Sequence, residues 1–331
     1  MNSRIIFSIK HTVLVFFGTC VLALPTHAAT ILSVPFTSQA PDGIWIQPWL
    51  DACEETSVLM VHRYYIGTDI QNSTDAKKGI LEMFDMKHVL FEESLDESIR
   101  TMTDVINNFL PWSAHVVEYP TLDAIKAEID AGRPVIIPAY ASALHNEYFR
   151  GFFPYHMFVI SGYDDRDQTF IAEDPGSHYG HAYRYKYDTV LSAMHDFLPN
   201  NIQNGSKLAM FTNPELGNTA NLDGDQDGLT KAEEFSNGTV SYLFDSDGDG
   251  FSDGIEVKYG YLPTKNEQTA VTQGALLIAQ GSPHVYYMDA GTKRHVSNET
   301  VFYRHDWSWG MLEWISDAIM KTIPEGTPLT S

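Results

Sequence analysis

Cysteine is scarce in this chain of 331 residues, which has only Cys20 and Cys53. Cys20 lies in the apolar run 12–24, which follows two basic residues and precedes small residues, as in a cleavable export signal. We predict that residues 1–28 are a signal peptide cut near Ala28 or Ala29. An exported protein normally pairs its cysteines, so the single remaining one calls for an explanation through its reactivity.

Basic residues are also few, with 21 Lys and Arg against 43 Asp and Glu. Loss of residues 1–28 would change the net charge from −22 to −24, which argues against a nucleic-acid partner. No later stretch has the ~18 consecutive apolar residues of a transmembrane helix. We therefore expect a secreted protein, extracellular or in the cell envelope, with no membrane span after signal cleavage. An uncleaved N-terminal anchor is the alternative.

The composition changes twice along the chain, which predicts three parts after the signal peptide. Residues 30–212 mix helical and strand patterns and form the first domain. Residues 218–266, here called the Asp-rich module, are rich in Gly, Asp and Asn. Residues 270–331, here called the C-terminal module, are short and aromatic-rich. The boundaries are expected near residues 213 and 267.

In the first domain, helical patterns precede strand patterns. A capping box at 94–97 predicts the start of a helix that runs to Phe109, and a second helix is expected between Thr121 and Gly132. Short β-branched and aromatic runs predict three strands, which lie at 134–140, 155–162 and 169–174. This order indicates an α+β fold.

Cys53 is expected in the first turn of a helix, because residues 54–65 lack Gly and Pro and place apolar side chains on one face. The positive end of the helix dipole favours the thiolate, whereas the acidic neighbours Glu54 and Glu55 oppose it. The sequence leaves the direction of the pKa shift open. We expect Cys53 to be a solvent-reachable, reactive thiol.

A thiolate nucleophile needs a base and a group that orients the base. His156 and Asp174 suit these roles if residues 155–163 and 167–174 pair as a hairpin around the turn 164–166. In that register His156 faces Asp174 on the same side of the sheet, within reach of a hydrogen bond. A shift of one residue would separate them.

Several sequence blocks together resemble one family, the peptidases related to the bacteriocin-processing, double-glycine-leader cysteine peptidases of papain-like fold. The blocks lie at 34–45, 51–57, 132–137, 155–163 and 173–176, in matching order and spacing. The resemblance covers roughly residues 31–212. It implies that Cys53 is the nucleophile, His156 the base, Asp174 its orienting group and Gln39 a donor to the oxyanion.

The resemblance also bears on substrates. Many members of the family have Cys-Gly where this chain has Cys53-Glu54, a difference that leaves the triad intact and concerns substrate preference. The membrane and ATPase parts of the transporter-fused members are missing, so leader processing during export is not implied. We expect a peptide, protein or peptidoglycan substrate. The alternative is a calcium-dependent surface adhesion or binding protein with a catalytically inactive papain-like domain.

Acidic residues are concentrated at 223–256, where ten Asp and Glu stand against one Lys. Two stretches there fit the pattern D-x-D-x-D-G-x5-E, which supplies the oxygen ligands that Ca²⁺ needs. The expected ligands of the first loop are Asp223, Asp225, Asp227, the Leu229 carbonyl and Glu234. Those of the second loop are Asp245, Asp247, Asp249, the Phe251 carbonyl, Asp253 and Glu256. We predict about two structural calcium ions; a solvated acidic linker is the alternative.

These EF-hand-like loops resemble thrombospondin type-3 repeats of bacterial surface proteins, which implies a calcium-rigidified spacer that takes no part in catalysis. The C-terminal module is expected to be a small β-rich unit with a hairpin turning at 289–291 and a helix near 309–319. Its aromatic residues would either bind a cell-surface glycan or form a small core, and its role stays open.

Overall fold

The computed structural model describes residues 29–91, 96–149, 154–266, 271–279 and 282–330, so the predicted signal peptide lies outside the described residues. In the first domain the α-helices are α1 Cys53–Tyr65, α2 Ser73–Leu90, α3 Ile99–Phe109, α4 Leu122–Asp130, α5 Ala141–Leu144 and α6 Tyr187–Ala193. Those that follow are α7 Lys231–Asn237, α8 Asp253–Tyr259, α9 Glu299–Arg304 and α10 Asp317–Thr322. Within the described ranges, no helix is both long and apolar enough for a membrane span.

The strands form two sheets. Those of the first domain are β1 Thr30–Ile31, β2 Ser113–Glu118, β3 Val135–Tyr140, β4 Tyr155–Asp164, β5 Thr169–Glu173, β6 Tyr183–Lys186 and β7 Leu208–Asn213. They make one antiparallel sheet in the order β2-β7-β3-β4-β5-β6, with β1 on β4. The C-terminal module contributes β8 Leu276–Ala279, β9 Val285–Asp289, β10 Thr292–His295 and β11 Leu312–Ile315, in the order β10-β9-β8-β11.

The central strand β4 is buried along its whole length because helices cover both faces of the sheet. On one face, α1, α2 and α3 pack through residues such as Val58, Ile80 and Ile106. On the other, α4 and α6 pack through Ile125 and Val190. A strand buried on two sides carries nearly continuous apolar residues, and this pattern makes β4 recognisable in the sequence. The first domain thus combines α-helices with one antiparallel β-sheet.

The predicted helices and strands of the first domain are largely present. Helix α1 begins at Cys53, and α4 begins after Thr121, whose hydroxyl accepts from the Ala124 N–H. The predicted start of α3 is wrong: Ser98, not Ser94, caps the helix, by accepting from the Thr101 N–H. Ser94 itself lies outside the described residues.

The Asp-rich module packs against the first domain. The Nζ atom of Lys231 donates to the main-chain carbonyl oxygens of Asn107 and Trp112 at 2.7 and 3.4 Å. The Ser241 hydroxyl donates to the carbonyl of Phe109 at 2.7 Å. The Phe109 ring also lies so close to Gly224 that a Cβ atom there would be 2.4 Å away. The module is therefore anchored to the C-terminal end of α3.

In the C-terminal module, the predicted hairpin is present. Strands β9 and β10 pair around Ala290 and Gly291, which both have positive φ as a two-residue hairpin turn of this type requires. The predicted helix near 309–319 is wrong. Residues Leu312–Ile315 form a strand parallel to β8, and α10 begins only after Ser316, whose side chain caps it.

Candidate active site

Cys53 is the first residue of α1 and is buried, with 3% of its surface exposed. Its sulfur receives a hydrogen bond from the main chain of Met157, the residue after His156 on β4. The thiol therefore lies beside the strand that carries the predicted base. The expectation of a solvent-reachable thiol is wrong for this structure, because the surrounding elements cover the sulfur.

Burial and acidic neighbours raise the pKa of the Cys53 thiol well above its ordinary value. After burial, the largest contributions come from Glu54 and Asp96. The thiol donates to Glu54 Oε2 at 3.0 Å, and Glu54 Oε1 accepts from the Glu97 N–H at 2.8 Å. The sequence left the direction of the pKa shift open. In the structure, burial and the acidic groups outweigh the helix dipole, and the pKa is raised.

His156 and Asp174 meet as the sequence predicts, with 2.7 Å between Nε2 and Oδ1. The predicted register, however, is wrong. Asp164 pairs with Thr169, and a bulge between Ile160 and Gly162 shifts the pairing. Beyond the bulge the register differs from the predicted one by two residues. Because side chains alternate with a period of two, this shift keeps the imidazole and the carboxylate on the same face.

Asp174 is fully buried and has several donors. Besides His156, its carboxylate accepts from the Tyr185 hydroxyl, from Asn146 Nδ2 at 3.3 Å and from the Gly176 N–H at 2.9 Å. Burial raises the pKa of Asp174, but His156 and the hydrogen bonds outweigh it, and the pKa lies below its ordinary value. The carboxylate is thus held ionised next to the imidazole.

The rings around His156 fix its plane. The Phe149 ring meets the imidazole edge to face at 5.0 Å between centroids, and Phe158 stacks on it at 6.0 Å. Phe158 is two residues further along β4 and so lies on the same face of the sheet. Aromatic walls of this kind limit the rotation of the imidazole.

Gln39 lies near Cys53 in the chain that leads into α1. Its Nε2 donates to the carbonyl oxygens of Trp49 and Leu50 at 3.1 and 2.8 Å. Both amide hydrogens are therefore used within the loop before the nucleophile. In this state Gln39 holds that loop, and donation to an oxyanion would require the release of one of these bonds.

Three side chains of the site were not assigned a role from the sequence. Tyr185 and Asn146 reach Asp174 from β6 and from the turn after α5, and also bond to each other at 2.6 Å. Glu54 was recognised only as a charged neighbour. Alternation in β6 could have placed Tyr185 on a buried face, whereas Asn146 carries no sequence signal because a long-range contact brings it to the site.

The acidic residues of the Asp-rich module form three groups whose ligand atoms lie within 4.8 Å of one another. They are Asp223, Asp225 and Asp227; Asp245, Asp247 and Asp249; and Asp227, Glu234 and Asp253. The third group joins the two loops, which the sequence did not predict, since Glu234 was expected to act within its own loop. Gly228 and Gly250 have φ of +106° and +99°, so each loop makes its turn at the predicted glycine.

The remaining predicted ligands lie at the ends of these loops. The N–H groups of Leu229 and Phe251 donate to Asp227 and Asp249, at 2.7 and 3.0 Å. Glu256 is buried on α8. The predicted carbonyl ligands, those of Leu229 and Phe251, therefore lie in tight loops that are closed by hydrogen bonds to Asp227 and Asp249.

Buried oxygens in these groups fit a hard cation. Asp225 Oδ2, Asp247 Oδ2 and Glu234 Oε1 are buried and have no hydrogen-bond donor. Burial and the neighbouring carboxylates raise the pKa of Asp225 to about 7 and that of Glu234 to about 8. Groups that offer only oxygen atoms as ligands are the kind that Ca²⁺ binds. These residues therefore fit the calcium ions that the sequence predicts.

A cysteine that starts a helix, next to a strand whose histidine is held by a buried aspartate, is an arrangement typical of cysteine peptidase-like hydrolases. The model of the Peptidase_C39 like family matches residues 31–202, which is about half of the chain, and the protein belongs to this family. Among solved structures, a C39-like peptidase from Bacillus anthracis matches 56% of this chain and 98% of its own length, with 18% identity and a TM-score of 0.40. No curated protein matches the chain.

Proposed function

We propose that the protein is a secreted cysteine peptidase or amidase that cleaves a peptide-type bond through Cys53, His156 and Asp174. The observation that carries the proposal is the 2.7 Å contact between His156 Nε2 and Asp174 Oδ1. The strand that carries His156, β4, also contacts the Cys53 sulfur through the main chain of Met157. With Nε2 engaged by the carboxylate, Nδ1 is the nitrogen that takes the thiol proton. Asp174 then stabilises the imidazolium.

The reaction follows from these roles. The thiolate of Cys53 attacks the carbonyl carbon, and the N–H groups of the first turn of α1, which have no partner within the helix, meet the developing oxyanion. His156 gives its proton to the leaving amine, and a thioester remains on Cys53. Water, deprotonated by His156, then hydrolyses the thioester. We keep Gln39 as a proposed second oxyanion donor, available when it leaves one of its loop carbonyls.

Calcium has a structural part in this proposal. The three acidic groups of the Asp-rich module would hold about two ions, as in thrombospondin type-3-like repeats, and calcium would offset the mutual repulsion of the carboxylates. The module contacts α3 through Lys231 and Ser241, so ordering it also supports the first domain. Export through a signal peptide at residues 1–28 would take the protein to a calcium-rich compartment.

Substrate cleavage by the purified chain tests the proposal. The protein, in calcium buffer, is incubated with a peptide library and with peptidoglycan cross-bridge peptides, and products are read by mass spectrometry. We expect cleavage by the wild type and none by Cys53→Ser or His156→Ala, with unchanged circular dichroism. A peptide aldehyde should add covalently to the wild type only. Absence of both cleavage and adduct in folded wild-type protein would overturn the proposal in favour of a binding function.

A further inference from the structure

Glu54 places a buried carboxyl group against the sulfur that the proposed mechanism uses. Its side chain is 0% exposed, and its hydrogen-bond donors within the described residues are the Cys53 thiol, at 3.0 Å from Oε2, and the Glu97 N–H, at 2.8 Å from Oε1. The second bond fixes the carboxyl group and leaves Oε2 aimed at the sulfur. The mechanism described above gives this group no role.

The charges around the pair are mostly negative. Titratable groups face it from α1, α2, the segment before α3, and β4. They are Glu55, Lys87, Asp96, Glu97 and Tyr155, and on β4 His156 directly precedes Met157, whose main chain bonds to the sulfur. Lys87 is a cation of this cluster, and its Nζ lies 2.5 Å from Glu55 Oε1, so its charge is largely offset by that carboxylate. Asp96 adds a further negative charge near Glu54.

Two negative charges on Cys53 and Glu54 would therefore stand 3.0 Å apart in a buried place where Glu55 largely offsets the charge of Lys87. Like charges at this distance exclude simultaneous ionisation, as in pairs of carboxyl groups that share one proton. A thiolate at Cys53 consequently requires a neutral Glu54.

We propose that Cys53 and Glu54 hold one proton in common and that Glu54, in its acid form, donates a hydrogen bond to the thiolate. When the proton moves, the S–H bond breaks, an O–H bond forms at Oε2, and the negative charge passes from the carboxylate to the sulfur. Once the sulfur has bonded to the carbonyl carbon, this proton passes from Oε2 to His156 Nδ1, the Glu54 carboxylate re-forms, and His156 gives the proton to the leaving amine. Glu54 is then a further catalytic residue, a role that rests on Cys53 being the proposed nucleophile.

Thiol alkylation in the full chain tests the shared proton. The rate of iodoacetamide labelling of Cys53 is measured against pH for the wild type and for Glu54→Gln, which keeps the oxygen that accepts from Glu97. We expect two steps in the wild type and a final step at lower pH in Glu54→Gln, by roughly one pH unit or more, because the like charge is gone. Profiles that superimpose overturn the proposal.

Glu173→Gln is the matched control. Glu173 is also buried, but its carboxylate bonds to Ser161 and His181. This variant should label with the wild-type profile, and a shift as large as that of Glu54→Gln would show that any buried charge has the same effect and would overturn the proposal.

A second measurement applies if Glu54→Gln does not fold. Infrared difference spectra of the wild type before and after alkylation should show a change in a carboxyl C=O band, because alkylation removes the sulfur as a proton partner. No change overturns the proposal. Both readouts are independent of cleavage: a shifted profile in a protein that cleaves no peptide refutes the proposed function and leaves the shared proton standing.

Discussion

Lys231 is joined to Asn107 by a hydrogen bond of 2.7 Å from Nζ to the main-chain carbonyl oxygen. The ammonium group is buried, and this burial lowers its pKa to about 8. A lysine is kept inside in this way only when carbonyl or hydroxyl oxygens surround its charge, and here Trp112 and Thr219 supply the others. The Asp-rich module is thus attached to α3 by a contact that solvent does not reach.

The first prediction concerns this attachment. Gly224→Ala should lower the free energy of unfolding by about 1–3 kcal/mol, because the added Cβ would lie 2.4 Å from the Phe109 ring. Thermal and urea unfolding of the full chain in calcium buffer measure the loss. Gly310→Ala is the control, since nothing lies within 4 Å of its Cβ position. Equal stability of both variants would show that the module does not pack on Phe109.

The second prediction concerns calcium. Asp227 belongs to two of the three acidic groups, so Asp227→Asn should weaken calcium binding more than Asp223→Asn, which belongs to one, by roughly 10-fold or more. Calorimetric titration measures the affinity. Glu233→Gln, at an exposed residue that caps α7, should bind as the wild type does. Equal affinities for the two aspartate variants would contradict a site shared by both loops.

The third prediction concerns the carboxylate behind His156. Tyr185→Phe removes a hydroxyl donor to Asp174 and should lower kcat/KM by roughly 10-fold, the effect of one hydrogen bond to a charged group. Asp174→Asn should cost far more, since the imidazolium loses its partner. Tyr183→Phe, on the same strand, is the control. If Tyr185→Phe retains full activity while Asp174→Asn does not, the hydroxyl has no part in positioning.

The fourth prediction is a dependence of stability on pH. Burial and the adjacent Arg63 lower the pKa of His62 from 6.5 to about 4. As the pH falls, the unfolded chain takes up the proton first, so the stability that neutral His62 provides is present above pH 6.5 and is lost toward pH 4. His62→Asn should reduce the loss of unfolding free energy between pH 7 and 5 by about 1–2 kcal/mol. Urea unfolding at both pH values measures it.

His88→Asn serves as the comparison for that experiment, because His88 is exposed on α2. This variant should lose as much unfolding free energy between pH 7 and 5 as the wild type does. The same reduction in both variants would assign the effect to histidines in general rather than to the burial of His62.

Local patterns explain which parts of the fold and site could be predicted. The helix at Cys53 and the strand at His156 follow from periodicity, and the contact with Asp174 survives an error in register because it depends on which face a side chain occupies. Asn146 acquires its contacts, and Glu54 its bond to Glu97, through packing between distant segments. The sequence predicts a helix over Leu312–Ile315 because four residues, two of them aromatic or β-branched, fit both patterns until a partner strand is present.

Helix α3 is held at both ends: Asp196 accepts from the Ile99 N–H at its start, and Lys231 contacts Asn107 near its finish. The consequence is evolutionary. A recombination breakpoint near residue 213 would separate Lys231, Ser241 and Gly224 from the surface they complement, leaving the Phe109 ring and three main-chain carbonyl groups without these contacts. An Asp-rich module transferred alone to another peptidase domain would therefore lack the α3 surface that Lys231, Ser241 and Gly224 contact.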